Sequence, residues 1–222
     1  MQPYFAAYPG YYRLLAASDV FVLFDCVQFT RRGWIHRNQL PDTKGEAGWL
    51  TLPLQHADYE APIRDLEFAP DAETRIAERM RAFPSLLGLN DAAAQFLRPS
   101  AFRGELVGYL EDQIRIACDL FGFKTRLVRS SSLGIPAEIK GQHRVLEIAR
   151  RMDATDYLNA PGGVGLYDAD LYQSQGVKLH FLEPWAGPYW SLLHRLAVDP
   201  EACRAEILAQ TPDYRAGQRR AA

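Results

Sequence analysis

From residue 125 the chain reads as strand, helix, strand, helix, strand: "TRLVRSS", "GQHRVLEIARRM", "DYLNAP", "ADLYQSQG" and "VKLHFLE" follow one another with short connections. Strands separated by helices do not pair as hairpins; each helix carries the chain back, so that successive strands run the same way. The alternation predicts an α/β fold with a mainly parallel, Rossmann-like sheet of nucleotidyl-transferase type. It places ligands where strand ends meet helix starts.

The rest of the chain is compatible with that frame. "MQPYFAAYPGYYRLL" opens with prolines flanking aromatics, which disfavours a strand, and reads as a loop leading through Gly10 into a short helix. "VFVLFDCVQF" is a dense β-branched and aromatic run, a buried strand ending near Asp25. "WIHRNQL" and "WLTLPL" bracket the turn-rich "PDTKGEAG", predicting two further strands joined by a loop. Residues 70–122 form a helical insertion. Asp71 caps a helix with Ile76, Met80 and Phe83 on one face, and Leu106, Leu110, Ile114, Ala117 and Phe121 mark another that stops at Gly122. Residues 1–222 are expected to be one domain ending in a polar tail, 214–222.

Composition narrows the partners. With 48% hydrophobic residues the chain can bury a substantial core, and 25 Lys+Arg against 27 Asp+Glu leave no global field favouring nucleic acid or an anionic membrane. Cys26, Cys118 and Cys203 are odd in number and far apart, which suits neither a disulfide framework nor a zinc site and predicts a reducing cytoplasm. Apolar runs are strand-sized, so no integral membrane segment is expected, and the opening residues lack the features of a secretory signal.

Three stretches carry chemistry. "FDCVQFTRRGWIHRN" gathers Asp25, Gln28, Arg32, His36, Arg37 and Asn38 around two strand ends. There an arginine can grip an anionic or sugar-phosphate ligand while His36 or Asp25 moves a proton; the alternative is a structural Asp–Arg pair at a sheet edge. In "SSSLGIPAEIKGQHRVLEI", Gly141 and Gln142 open a helix whose free amides can hold an anion beside Lys140, His143 and Arg144. A basic, solvated first turn is the other reading, although cations oppose the dipole at a helix N-terminus. In "NAPGGVGLYDADLY", glycines including Gly162 and Gly163 let backbone approach a ligand, or make a tight turn. No metal-ligand cluster, HExxH or GxSxG motif is present, and His56, His180 and His194 read as structural.

In order and spacing, "QPYFAAYPGYYRLL", "ASDVFVLFDCVQFTRRGWIHRNQL", "SSSLGIPAEIKGQHRVLEIARRMDATDYLNAPGGVGLYD" and "GVKLHFLE" resemble the WbqC-like family of bacterial proteins, up to about Glu183. The resemblance implies a role in O-antigen or other surface-polysaccharide (lipopolysaccharide) assembly, with glycine transfer onto a sugar suggested for one branch. It puts weight on Gln2, Pro3 and Tyr4, on Asp25, Gln28, Arg32, Arg37 and Asn38, and on Lys140, Gly141, Arg144, Gly162, Gly163 and Tyr167. Two departures stand out. Members usually carry a short apolar strand before the QP motif, so here either the start is truncated or that strand is missing, which would expose an edge. His143 stands where members often have an acidic residue.

Three functions remain open on the sequence. The first is a transferase moving an aminoacyl or acyl group from a thioester or nucleotide donor, or from an acyl or aminoacyl carrier protein, onto a nucleotide-linked or lipid-linked sugar. The others are a nucleotidyl-transferring activating enzyme and a non-catalytic sugar-nucleotide binding protein.

Overall fold

The computed structural model describes residues 1–98 and 102–212; the expected polar tail lies outside the described residues except for its approach. Helix α1 (Pro9–Ala17) starts on Pro9, whose fixed φ suits a first helical turn, and buries nearly its whole length. Gly10 is obligatory there: a Cβ would lie 2.9 Å from Trp185 and closer still to the Tyr8 ring. Strand β1 (Val20–Leu23) follows, then the hairpin β2 (Arg37–Pro41) and β3 (Ala47–Thr51). Its turn is held by the Asp42 carboxylate, which accepts from the Lys44 and Glu46 amides, with Gly45 at φ +78°.

The helical insertion comprises α2 (Ala72–Met80), α3 (Asp91–Leu97) and α4 (Leu106–Phe121). Gly122 ends α4 in the left-handed conformation at φ +75°, as its sequence position predicts. Asp71 precedes α2 but does not cap it; its carboxylate turns to Arg75 at 3.4 Å instead. Beyond β4 (Arg126–Arg129) the predicted alternation is present as α5 (Gly141–Arg151), β5 (Asp156–Asn159), α6 (Ala169–Ser174) and β6 (Lys178–Phe181). Helices α7 (Leu192–Val198) and α8 (Pro200–Ala209) then pack on α3 and α1 respectively.

The chain is therefore mixed α/β, but its sheet differs from the expectation. Among the described residues β1 pairs with β4 and β5 with β6, both in parallel, while β2 and β3 form a separate antiparallel hairpin. The two parallel pairs are not hydrogen-bonded to each other, so a continuous Rossmann-like sheet is not formed. Apolar packing divides at the same place. One large cluster runs from Phe5 through α1, β1 and α4 to Ile207, and a small one holds Ala149, Tyr172 and Val177 beside β5 and β6.

The opening loop is tied into the large core by polar side chains from distant segments. The Asn38 amide donates to the carbonyls of Phe5 and Ala6, each at 2.9 Å, and Ser191 Oγ donates to the Ala6 carbonyl at 2.8 Å. Gln113 Oε1, on the buried face of α4, accepts from the Ala6 amide at 3.3 Å. A buried loop without such partners would carry unsatisfied peptide groups, each costing about 1–3 kcal/mol.

Candidate functional site

The sequence-derived residues sort into three groups. The first lines a cavity of about 700 Å³ between β1 and β5: Gln2 and Tyr4 from the opening loop, and Gly162, Gly163 and Tyr167 after β5. Gly163 is held by close packing, because a Cβ would sit 2.6 Å from Asn159 Nδ2 and 3.3 Å from the Tyr167 ring. Gly162 has open space in front of it. Tyr157 and Tyr167 share a hydroxyl contact of 3.3 Å, and burial raises the Tyr157 phenol above its ordinary pKa, so it stays a neutral donor.

The second group joins the ends of β1 and β4. Asp25 has no exposed surface, and its carboxylate accepts from Ser130 Oγ at 2.8 Å, the Ser131 amide at 2.9 Å and Ser131 Oγ at 2.6 Å. Among the described residues no arginine side chain is paired with this carboxylate, and two serines take the place of the expected Asp–Arg pair. Arg144 stands next door. Its guanidinium donates to the carbonyls of Pro136 and Ile139 at 2.8 and 3.1 Å, and its Nε–H points at Cys26 Sγ at 3.2 Å. Arg144 thus pins the loop before α5 rather than presenting a free cation. Lys140, Gly141 and His143 are exposed at the start of α5, with Gly141 at φ +56°.

The third group lies on the loop after β1 and on the hairpin, away from the cavity wall. Gln28 donates to the Tyr59 carbonyl at 2.9 Å and Arg32 is exposed. Arg37 stacks 4.1 Å over the Trp49 ring and donates to the carbonyls of Gly33 and Arg32. Asn38 is buried on the opening loop, so it serves the fold and is not offered to a ligand. His36 is half-buried edge-on to Phe29, and its Nδ1 has no partner. Burial, with Arg37 and Arg79 nearby, pushes its pKa down to about 4, so the ring is neutral at pH 7. Neither His36 nor Arg32 lines the cavity.

Elsewhere, His180 bonds Asp156 at 2.7 Å and His194 bonds Ser85 at 3.0 Å. Ser130, Ser131 and Cys26 were not singled out by the sequence, although "SSS" directly after a strand ending is a donor-rich element facing whatever acid closes the neighbouring strand. Among the described residues no group of three or more His, Cys, Asp or Glu side chains is placed to hold a metal ion, and no helix is long and apolar enough to cross a membrane.

No solved structure matches this chain. It is similar to the uncharacterized protein Rv1507c of Mycobacterium tuberculosis (strain ATCC 25618 / H37Rv), at 25% identity over 238 residues that cover 96% of this chain and 95% of that protein. The WbqC-like protein family matches residues 2–194, which include every candidate residue named above, and by that match the chain belongs to the WbqC-like protein family.

Proposed function

We propose that this protein is a cytoplasmic transferase of bacterial surface-glycan assembly. It moves an aminoacyl or acyl group, glycyl for example, from a thioester or nucleotide donor onto an amino or hydroxyl group of a nucleotide-linked or lipid-linked sugar. The observation that carries the reading is the gathering of Gln2, Tyr4, Gly162, Gly163 and Tyr167 on the wall of one cavity beside the parallel strands, where α/β proteins take small ligands. The chain belongs to the WbqC-like protein family, and the glycan context is what the resemblance to that family implies. The reading takes residues 1–222 as one domain and the arrangement of its parallel strand pairs as nucleotidyl-transferase-like.

In this reading the glycine turn and the exposed Lys140 and Gly141 hold phosphate or a developing oxyanion, and Gln2 and Tyr4 orient the sugar. Asp25 positions β4's serine turn. His36, neutral at pH 7, is assigned as the proton acceptor, although it stands off the cavity wall, and its replacement tests that assignment.

A thermal-shift panel of nucleotides, nucleotide-sugars and aminoacyl thioesters tests it, because a ligand at 100 times its dissociation constant adds about 2.7 kcal/mol. Stabilisation by a nucleotide-sugar, abolished in Lys140→Ala, followed by turnover with a thioester donor, is the expected result. Stabilisation by a magnesium triphosphate alone, with pyrophosphate release, would replace this reading by nucleotidyl transfer. Tight sugar-nucleotide binding without turnover would replace it by a binding role, and unchanged turnover in His36→Ala would remove His36 as the base.

A further inference from the structure

The outer face of the β2–β3 hairpin carries side chains that core packing does not account for. Along the two strands Asn38, Leu40 and Leu50 turn to the core, so Arg37, Gln39, Trp49 and Thr51 turn outward, with Gln39 directly across the ladder from Trp49. Trp34, on the loop before β2, meets Trp49 with ring centroids 5.0 Å apart and planes at 44°. Two indoles in contact belong by type to a core, yet Trp34 and Trp49 are 41% and 39% exposed. They form an angled aromatic platform open to water.

The rim of that platform is cationic. The Arg37 guanidinium lies 4.1 Å over the Trp49 ring and donates to the carbonyls of Gly33 and Arg32. Those bonds fix the loop that carries Trp34 and start the exposed Arg32 side chain beside the rings. Arg31 donates to the Ala57 carbonyl at 2.8 Å. Residues 26–41 hold three arginines and neither Asp nor Glu. Among the described residues no carboxylate forms an ion pair with Arg31, Arg32 or Arg37. Asp42, farther along the hairpin, is engaged by the turn amides of Lys44 and Glu46.

We infer that this face is a saccharide site, separate from the cavity, for an anionic pyranose such as a uronic acid or a sugar phosphate. The CH face of a pyranose packs on an indole, the Gln39 amide offers a donor and an acceptor to its hydroxyls, and the carboxylate or phosphate pairs with Arg32 and the Arg37 charge. Other occupants fit less well. The apolar surface is confined to two indoles, far short of the roughly 800 Å² that each partner of a stable protein interface covers. A second copy docked through the same face would set its arginines against these. Nucleic acid calls for cations spaced along several phosphates, and the net charge of the chain is -2. The inference goes beyond the proposed function and does not rest on it: no tryptophan lines the cavity, so the two sites are read by different signals.

The indole N–H signals of the four tryptophans in the nitrogen-15-labelled full chain test it, with Trp34 and Trp49 assigned from Trp34→Phe and Trp49→Phe. Digalacturonate and glucose 1-phosphate are the anionic sugars; cellobiose, inorganic phosphate and polyglutamate are the controls. One or both anionic sugars are expected to shift the Trp34 and Trp49 signals saturably, to leave Trp185 and Trp190 in place, and to bind at least about tenfold more tightly than any control. A response to digalacturonate alone assigns a carboxylate ligand, and one to glucose 1-phosphate alone a phosphate ligand. Arg32→Gln should keep the melting temperature of the parent chain and lose the preference for the charged sugars. Trp34→Ala, followed through the Trp49 signal, should weaken binding at least about tenfold. No shift with either anionic sugar would overturn the inference, as would an unchanged preference in Arg32→Gln. Equal binding of cellobiose, of phosphate or of polyglutamate would replace it by a neutral-sugar site, a plain anion site or an acidic protein partner. Shifts that follow protein concentration without sugar would replace it by an interface between copies.

Discussion

Asp25→Ala removes the acceptor that holds β1 to β4 at their C-terminal ends. The carboxylate is fully buried and takes three hydrogen bonds, at 2.6, 2.8 and 2.9 Å, from two serine hydroxyls and one amide. Hydrogen bonds to a charged group contribute about 1.5–3 kcal/mol each, but the three share one site and do not add. Ser131 is part-exposed and its hydroxyl can turn to water, whereas Ser130, with no exposed surface, cannot. The expected cost is therefore about 3–4 kcal/mol, a fall in melting temperature of about 6–16 °C for a chain of this size. Asp25→Asn, which keeps the shape and two of the three acceptor contacts, should cost about 1–2 kcal/mol. Urea unfolding followed by fluorescence measures both. A loss below about 1 kcal/mol for Asp25→Ala would refute the argument, and so would an Asn variant as damaged as the Ala variant.

Three further outcomes follow from the same geometry. The folded pKa of His36, about 4, lies below the unfolded value of 6.5, so the unfolded chain binds the extra proton; stability should be full above pH 6.5 and fall as pH drops toward 4. With solvent screening of a half-buried ring the loss is about 1–2 kcal/mol, and His36→Gln should remove that part of the urea-midpoint profile. Gly163→Ala should cost about 1–3 kcal/mol by driving a methyl into Asn159 and Tyr167, while Gly162→Ala, facing open space, should leave the melting temperature unchanged or slightly raised. Arg144→Ala frees the carbonyls of Pro136 and Ile139, and limited proteolysis should then cut within residues 134–140 faster than in the parent chain; an unchanged cleavage rate would show the loop is held otherwise.

The sequence by itself determined the local elements. Gly122 stops α4 because only a residue without a Cβ takes φ +75° at no strain, and the period of apolar residues along α4 fixed which face is buried. The alternation after residue 125 likewise fixed β4, α5, β5, α6 and β6, and with them the connections on which Lys140, Gly162 and Tyr167 lie. These are properties of near neighbours along the chain. Whether a polar side chain meets a ligand or a peptide group depends on how the chain folds back around it, and only the tertiary structure decided it. Asn38 and Arg144 look like ligand-binding residues by type, yet one satisfies the buried loop at Phe5 and Ala6 and the other pins the turn before α5. Asp25 finds Ser130 and Ser131 rather than an arginine, because β1 and β4 pair in parallel register and end together. The gap between β1 and β5 is tertiary as well: periodicity predicts that strands exist, but the order of strands, and which edges remain open, is set by how the helices pack across them.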